Sequence, residues 1–274
     1  MLKRINSGLV LGLVVAALTL EASWAQDIES LIDQVMTGSH RSDKNKARGR
    51  YRHPKETLMF FGLKPEMTVV EITPGMGWYT EILAPVMRDR GVFYAAVFAV
   101  TDQSSEFQRN MDKSYRGMLA ASPDLYGKVK LSLLYPGAMQ VAPAGGTDMV
   151  LTFRNVHNWA KAGTADAMFK AFYDALKPGG ILGVVEHRAR PGTPFQRQID
   201  SGYMTEDYVI ETAQKAGFKL VNRSEINANA RDTADHAGGV WTLPPNLRNV
   251  SEADKPKYLA IGESDRMTLK FVKQ

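Results

Sequence analysis

Residues 69 to 81 constrain this chain more than any other stretch: Val69-Val70-Glu71-Ile72-Thr73-Pro74-Gly75-Met76-Gly77-Trp78-Tyr79-Thr80-Glu81. A short β-branched run, an acidic residue, two glycines one apart and an amphipathic segment predict a buried strand, a tight turn and a helix N-terminus. In an open parallel sheet, the carboxyl end of the first strand is where nucleotide-like ligands bind. Glycine at such a turn lets the backbone approach a ligand closely. Two glycines alone are a common pattern, so their meaning depends on the elements that succeed them and on their order.

Strand and helix signals alternate through the rest of the chain. After the first strand, 68–72, apolar runs at 91–100, 129–134, 148–153 and 181–186 read as strands. Helical periodicity separates them at 78–88, 104–121 and 164–176. A helix over 205–216 and a strand over 219–226 come next, and a last strand covers 266–272. Strands alternating with helices imply a parallel sheet with right-handed crossovers. No helical pattern separates the last two strands, which predicts that they pair antiparallel. Between them, residues 227–264 show no clear period, and a loop that long inside a compact domain is often functional.

The N-terminal side of this core carries extra sequence. Met1-Leu2-Lys3-Arg4 is a basic start, 8–20 is nearly all apolar, and Ser23 and Ala25 are small residues suited to cleavage ahead of Gln26. That pattern is a secretory signal peptide over 1–25. Its apolar run falls short of the ~20 residues a membrane span needs. The expected location is therefore the periplasm, with no stable membrane span. Removing Lys3, Arg4 and Glu21 lowers the formal charge from +5 to +4. Residues 26–50 read as an N-terminal helix, with Ile28, Leu31, Ile32, Val35 and Met36 on one face, followed by a solvated basic arm. The basic block 41–48 contains no base-stacking aromatic, so no nucleic-acid partner is expected. Without cysteine there is no disulfide, thiol catalysis or thiolate metal site.

From residue 51 onward the order of motifs resembles the class I S-adenosylmethionine-dependent methyltransferases. The carriers are Glu71 with Gly75 and Gly77 after strand one, the Asp148-Met149-Val150 strand, and Ala175-Leu176-Lys177-Pro178-Gly179-Gly180 before strand five. More narrowly, Arg52-His53-Pro54 and Glu186-His187-Arg188 resemble a group of exported bacterial proteins described as predicted methyltransferases. The resemblance implies a Rossmann-like α/β fold over 51–274. Its seven-stranded sheet would have the order 3-2-1-4-5-7-6, with strand seven antiparallel. It implies S-adenosylmethionine as cofactor and a small-molecule methyl acceptor.

Carried over by position, Glu71, Thr73, Pro74, Gly75, Gly77, Trp78 and Tyr79 would surround the methionine part of the cofactor, flanked by Arg154 and Asn155. Two departures stand out. Thr73-Pro74 replaces the first glycine of the family turn. The acid expected at the end of strand two is absent at Phe98-Ala99, with Asp102 three residues beyond as a substitute.

Methyl transfer asks the protein for alignment, plus a base where the acceptor must lose a proton. His157, after strand four, and Glu186 and His187, at the end of strand five, are the candidate catalytic groups; helix capping and ion pairing within loops are the structural alternatives. The five histidines show no metal-binding spacing, so no metal is expected. Thr80 stands where a dinucleotide fold needs a third glycine. A catalytically silent protein of the same fold, serving in ligand binding or interaction, is the alternative to an enzyme.

Overall fold

The structure is a computed structural model that describes residues 27–135 and 139–274. The expected signal peptide, 1–25, lies outside the described residues. Seven strands are present: β1 (Thr68–Ile72), β2 (Val92–Phe98), β3 (Lys130–Leu134), β4 (Thr147–Phe153), β5 (Leu176–His187), β6 (Phe218–Ser224) and β7 (Arg266–Lys273). They form one sheet in the order β3-β2-β1-β4-β5-β7-β6, the order the resemblance implies. β1 to β5 pair parallel, and β7 runs antiparallel to both β5 and β6.

The central strands are covered on both faces, which parallel strands require because their crossover helices lie on each side. Along β1 and β4 the side chains alternate between two cores. Val70, Ile72 and Val150 pack with Phe169 and Phe172 of the helix Ala165–Ala175. Val69, Met149 and Leu151 pack with Leu58, Phe61, Ile82 and Leu83 on the opposite face. Space in that second layer is tight at β5, where a Cβ on Gly183 would lie 2.7 Å from Leu151 and 2.8 Å from Phe61. β6, at the sheet edge, alternates far less and presents Lys219, Asn222 and Arg223 to solvent, a composition that discourages edge pairing.

The basic arm is solvated only in part: Ser42, Asp43, Lys44 and Ala47 are exposed, but Arg41 is buried, which corrects the expectation for that residue. The helix at 27–37 sends Ile28, Ile32 and Val35 into the second core. Ser42 then caps the helix Asp43–Ala47 by accepting from the Asn45 N–H. Arg41 is buried because Glu81, on the helix Thr80–Met87, is buried too and needs a counter-charge; the pair is 3.2 Å apart. Asn45 Nδ2 donates to the other oxygen of Glu81 at 2.8 Å. Charge count alone reads Arg41 as surface, whereas a buried acid elsewhere in the chain recruits it.

Several boundaries also differ. His53 adopts φ 38° and divides 49–61 into two helices, Gly49–Arg52 and Pro54–Phe61. β5 begins at Leu176, opposite Thr147, bulges over Lys177-Pro178-Gly179-Gly180, and resumes with Ile181 opposite Met149. The short helices Val156–Lys161, Phe195–Ser201 and Lys255–Ile261 lie where the sequence has too few periods to reveal them.

Candidate functional site

At the carboxyl ends of β1, β4 and β5 the chain encloses a cavity of about 270 Å³. Thr73 leaves β1 into it, Arg154 leaves β4, His187 ends β5 and Arg266 begins β7. Its far wall comes from the long connection between β6 and β7, through Val240, Trp241, Pro244, Pro245, Asn246 and Ser264. Topology explains that placement. β6 runs with β5 and delivers the chain to this end of the sheet, and antiparallel β7 must start from it.

Most residues singled out from the sequence meet here. Glu71, Thr73, Pro74, Gly75, Trp78 and Tyr79 line the cavity from the β1 turn, and Arg154, Asn155 and His157 line it from the β4 turn. His187 joins them, while Glu186 is fully buried behind His157. Two residues are not brought in. Asp102 is exposed in a turn and does not line the cavity. Gly77 also lies off the wall. It adopts φ 80°, which favours glycine, and a Cβ there would meet Met118 of the helix Glu106–Ala121 at 2.7 Å and Tyr115 at 3.2 Å. Gly75, at φ 61°, is the open one: nothing lies within 4 Å of where its Cβ would stand.

Glu186, His157 and His187 form the chemical centre. Both oxygens of Glu186 are held. Oε1 accepts from the His187 N–H at 2.7 Å and from His157 Nδ1 at 3.1 Å, and Oε2 accepts from the His157 N–H at 3.2 Å. A carboxylate only accepts, so His157 Nδ1 donates in this bond, and in the neutral ring Nε2 is then the nitrogen with the lone pair. Nε2 has no hydrogen-bond partner among the described residues, and the ring lines the cavity. This is how a carboxylate orients a histidine to act as a base. His187 shares a 2.5 Å hydrogen bond between Nδ1 and Ser264 Oγ. Burial, then His157 and the nearby arginines, push its pKa well below the ordinary histidine value, so it stays neutral.

The ligand atoms of His157, Glu186 and His187 lie within 4.8 Å of one another, a clustering that linear spacing does not reveal. A metal ion would have to compete for oxygens already taken by two amides and an imidazole. It would also enter a cavity walled by four guanidiniums.

Those four are Arg48, Arg52, Arg154 and Arg266. Glu263, itself 2% exposed, binds three of them: Arg48 Nε at 2.5 Å, Arg52 Nε at 3.1 Å, and Arg266 Nη2. Burial works to raise the Glu263 pKa, but Arg266, Arg52 and Arg48 together outweigh it and hold the carboxyl well below the usual carboxylate range. Arg48, Arg266, Glu263 and Ser264 escape sequence reading because no local pattern marks them; they come from opposite ends of the chain.

The β1 turn is strained. Thr73 adopts φ 44°, the left-handed conformation glycine would take at no cost, and its buried Oγ1 has no partner among the described residues. Arg154, in the matching position after β4, adopts φ 63°. Such outliers cost about 1–3 kcal/mol each and cluster at functional sites. Thr73→Gly, which relieves the strain and removes the orphaned hydroxyl, is expected to stabilise the protein by about 1 kcal/mol. A thermal melt would register that as a rise of about 2–4 °C.

Glu71 lies beneath the turn and accepts from Thr80 Oγ1 at 2.6 Å. Burial raises its pKa to about 8, against the opposing Thr80 hydrogen bond. An acid whose folded pKa is raised destabilises the fold as pH climbs from its unfolded value near 4.5 toward 8. Glu71→Gln is therefore expected to melt higher than the parent at pH 8 and to lose that advantage at pH 4, read by melts at both.

The cavity suits part of an S-adenosylmethionine molecule rather than all of it. The methionine half would face Gly75, Glu71 and the turn amides, next to the stacked rings of Tyr79 and Phe153, 3.5 Å apart. At the end of β2, where the family's acid would face the ribose, Phe98 is exposed.

Comparison with protein-family models finds no match, and comparison with curated proteins finds none. Solved structures do match. A SAM-dependent methyltransferase from Aquifex aeolicus aligns over 90% of this chain and 98% of its own, with a TM-score of 0.54 and 16% identity. A putative sarcosine dimethylglycine methyltransferase from Galdieria sulphuraria aligns over 81% of this chain and 84% of its own, with a TM-score of 0.54 and 11% identity. The cyclase SpnF aligns over 81% of this chain and 80% of its own, with a TM-score of 0.56 and 16% identity. The chain has the Rossmann-like methyltransferase fold. Since a protein named as a cyclase shares it, the fold alone does not fix the reaction.

Proposed function

We propose that this protein is an S-adenosylmethionine-dependent methyltransferase acting on a small molecule, with His157 as the base. The observation that carries this reading is the Glu186–His157 pair, buried at the strand ends beside the Gly75 turn and open to the cavity through Nε2. Bound at that turn, S-adenosylmethionine would supply an electrophilic methyl group and a neutral thioether leaving group. Thr73, Pro74 and Gly75 would hold its methionine end, with Glu71 beneath. As the acceptor's oxygen or nitrogen gains the methyl group, His157 Nε2 takes the proton that atom loses. Glu186 stabilises the resulting imidazolium through Nδ1, and neutral His187 adds no opposing charge. The connection carrying Trp241 and Asn246 covers the cavity and limits water.

The reading is tested by incubating the protein with methyl-labelled cofactor and a small-molecule extract of its host. Label should pass to a small product with wild-type protein and not with His157→Gln. Absence of any labelled product, with cofactor bound, would remove the assignment.

Export belongs to the same proposal. The basic start, short apolar run and Ser23 and Ala25 ahead of Gln26 support cleavage after Ala25 and a periplasmic protein. No helix among the described residues is long and apolar enough to cross a membrane. Mass spectrometry of the periplasmic fraction should find an N-terminus at Gln26; a Met1 start in the membrane fraction would overturn it.

A second reading, a silent protein of this fold that binds a ligand without turnover, is favoured by one observation: β2 ends in Phe98-Ala99 where the ribose-binding acid would stand, and Asp102 does not line the cavity.

A further inference from the structure

The cavity wall is unbalanced in charge. It carries four guanidiniums, and among the described residues its one carboxyl group is Glu71, which burial keeps largely protonated at neutral pH. Glu263, behind the wall, serves Arg48, Arg52 and Arg266 together. The Arg154 side chain makes no hydrogen bond or ion pair with any described residue. Arg52, 2% exposed, leaves Nη2 without a partner, and so does Arg48. Buried donors in native proteins are almost always satisfied, and each orphan asks for an explanation. Unneutralised guanidiniums held together in a partly desolvated space repel one another, and Arg52 and Arg154 do so directly. Nothing in the fold requires Arg154 to stay: its backbone is strained and its side chain holds no other element. A planar fork with free N–H groups suits a carboxylate or a phosphate, which it can bind through two parallel hydrogen bonds.

We propose that this cavity holds a small anion, carrying a carboxylate or a phosphate group, on the Arg154 fork with the charge of Arg52 behind it, as a ligand separate from the methyl donor. Resting on the methyl-transfer reading, that ligand is the acceptor, and its anionic group anchors it beside His157 Nε2. The cavity of about 270 Å³ is shared with the donor's methionine end, so the acceptor is a small molecule.

The test is titration calorimetry and thermal melting of the full chain with succinate and with inorganic phosphate, each against sodium chloride of equal ionic strength. Ligands that bind the native state raise the midpoint in proportion to occupancy. Succinate or phosphate should raise the midpoint where chloride does not, and whichever acts names the anionic group. Arg154→Gln should weaken that binding about tenfold or more, while Arg154→Lys keeps part of it. Unliganded Arg154→Gln should melt no lower than wild type, because repulsion is relieved and no bond is lost. Binding should persist with S-adenosylhomocysteine present in excess. If neither anion binds, or Arg154→Gln binds both as wild type does, the site is not an anion site. Competitive displacement by S-adenosylhomocysteine would assign the guanidiniums to the cofactor's own carboxylate and overturn the proposal. Anion binding by a protein with no affinity for S-adenosylhomocysteine would keep the anion site while removing the methyl-transfer reading.

Discussion

Glu263→Gln is expected to lower the thermal midpoint by about 10 °C. The substitution keeps the shape of the side chain and removes the charge on which Arg48, Arg52 and Arg266 converge. Removing one partner from a buried ion pair typically costs about 3–5 kcal/mol, because the remaining charges lose compensation while staying desolvated. In a domain of this size each kcal/mol moves the midpoint by about 2–4 °C. The same pairs predict a pH dependence. The folded pKa of Glu263 is depressed, so its stabilisation is present above the unfolded pKa near 4.5 and is lost progressively as pH falls below it. Wild type and Glu263→Gln should therefore differ most at neutral pH and converge in strong acid. A variant that melts within a degree of wild type at pH 7 would contradict the assignment of Glu263 as the neutralising centre.

The second large effect concerns rate. His157→Gln is expected to reduce methyl transfer about 10²–10⁴-fold, the usual worth of a positioned base. The loss should fall on kcat, with KM little changed, since the base acts in the transition state rather than in binding. Glu186→Gln should share most of that loss. A glutamine can still accept one hydrogen bond, but it cannot stabilise the imidazolium that forms at His157. If Glu186 served only to tie down the backbone, its amide substitute would lower the melting temperature and leave kcat intact. Measuring both quantities on both variants separates positioning from scaffolding.

How much of the fold and site is legible in the sequence depends on how local each signal is. The β1 run, the turn and the Lys177-Pro178-Gly179-Gly180 stretch are contiguous, and they fix the strand order once the family resemblance is recognised. The turn residues up to Tyr79, with Arg154, Asn155, His157 and His187, can be placed at the site because strand ends converge in a parallel sheet. Glu186 is legible as a site residue but not as the partner of His157, since the two are 29 positions apart. Gly77 illustrates the limit of a motif. Its spacing marks a turn, but only the packing of Met118 and Tyr115 shows which side its Cα faces. The arginine cluster is least legible. Arg48 looks like surface charge, and Arg52 is marked only by the Arg52-His53-Pro54 stretch, until Glu263, more than 200 residues later, folds against them.

The methyl-transfer reading depends on the Gly75 turn binding its cofactor. Calorimetric titration of the full chain with S-adenosylmethionine and with S-adenosylhomocysteine, repeated on Gly75→Val, decides whether it does. Valine places a β-branched side chain into the open space before the turn, at a backbone angle of φ 61° that it resists. Saturable heat is expected with wild type, and loss of that heat with Gly75→Val while its far-ultraviolet dichroism remains native. Wild-type protein that shows no heat with either ligand at millimolar concentration would contradict cofactor binding at this turn.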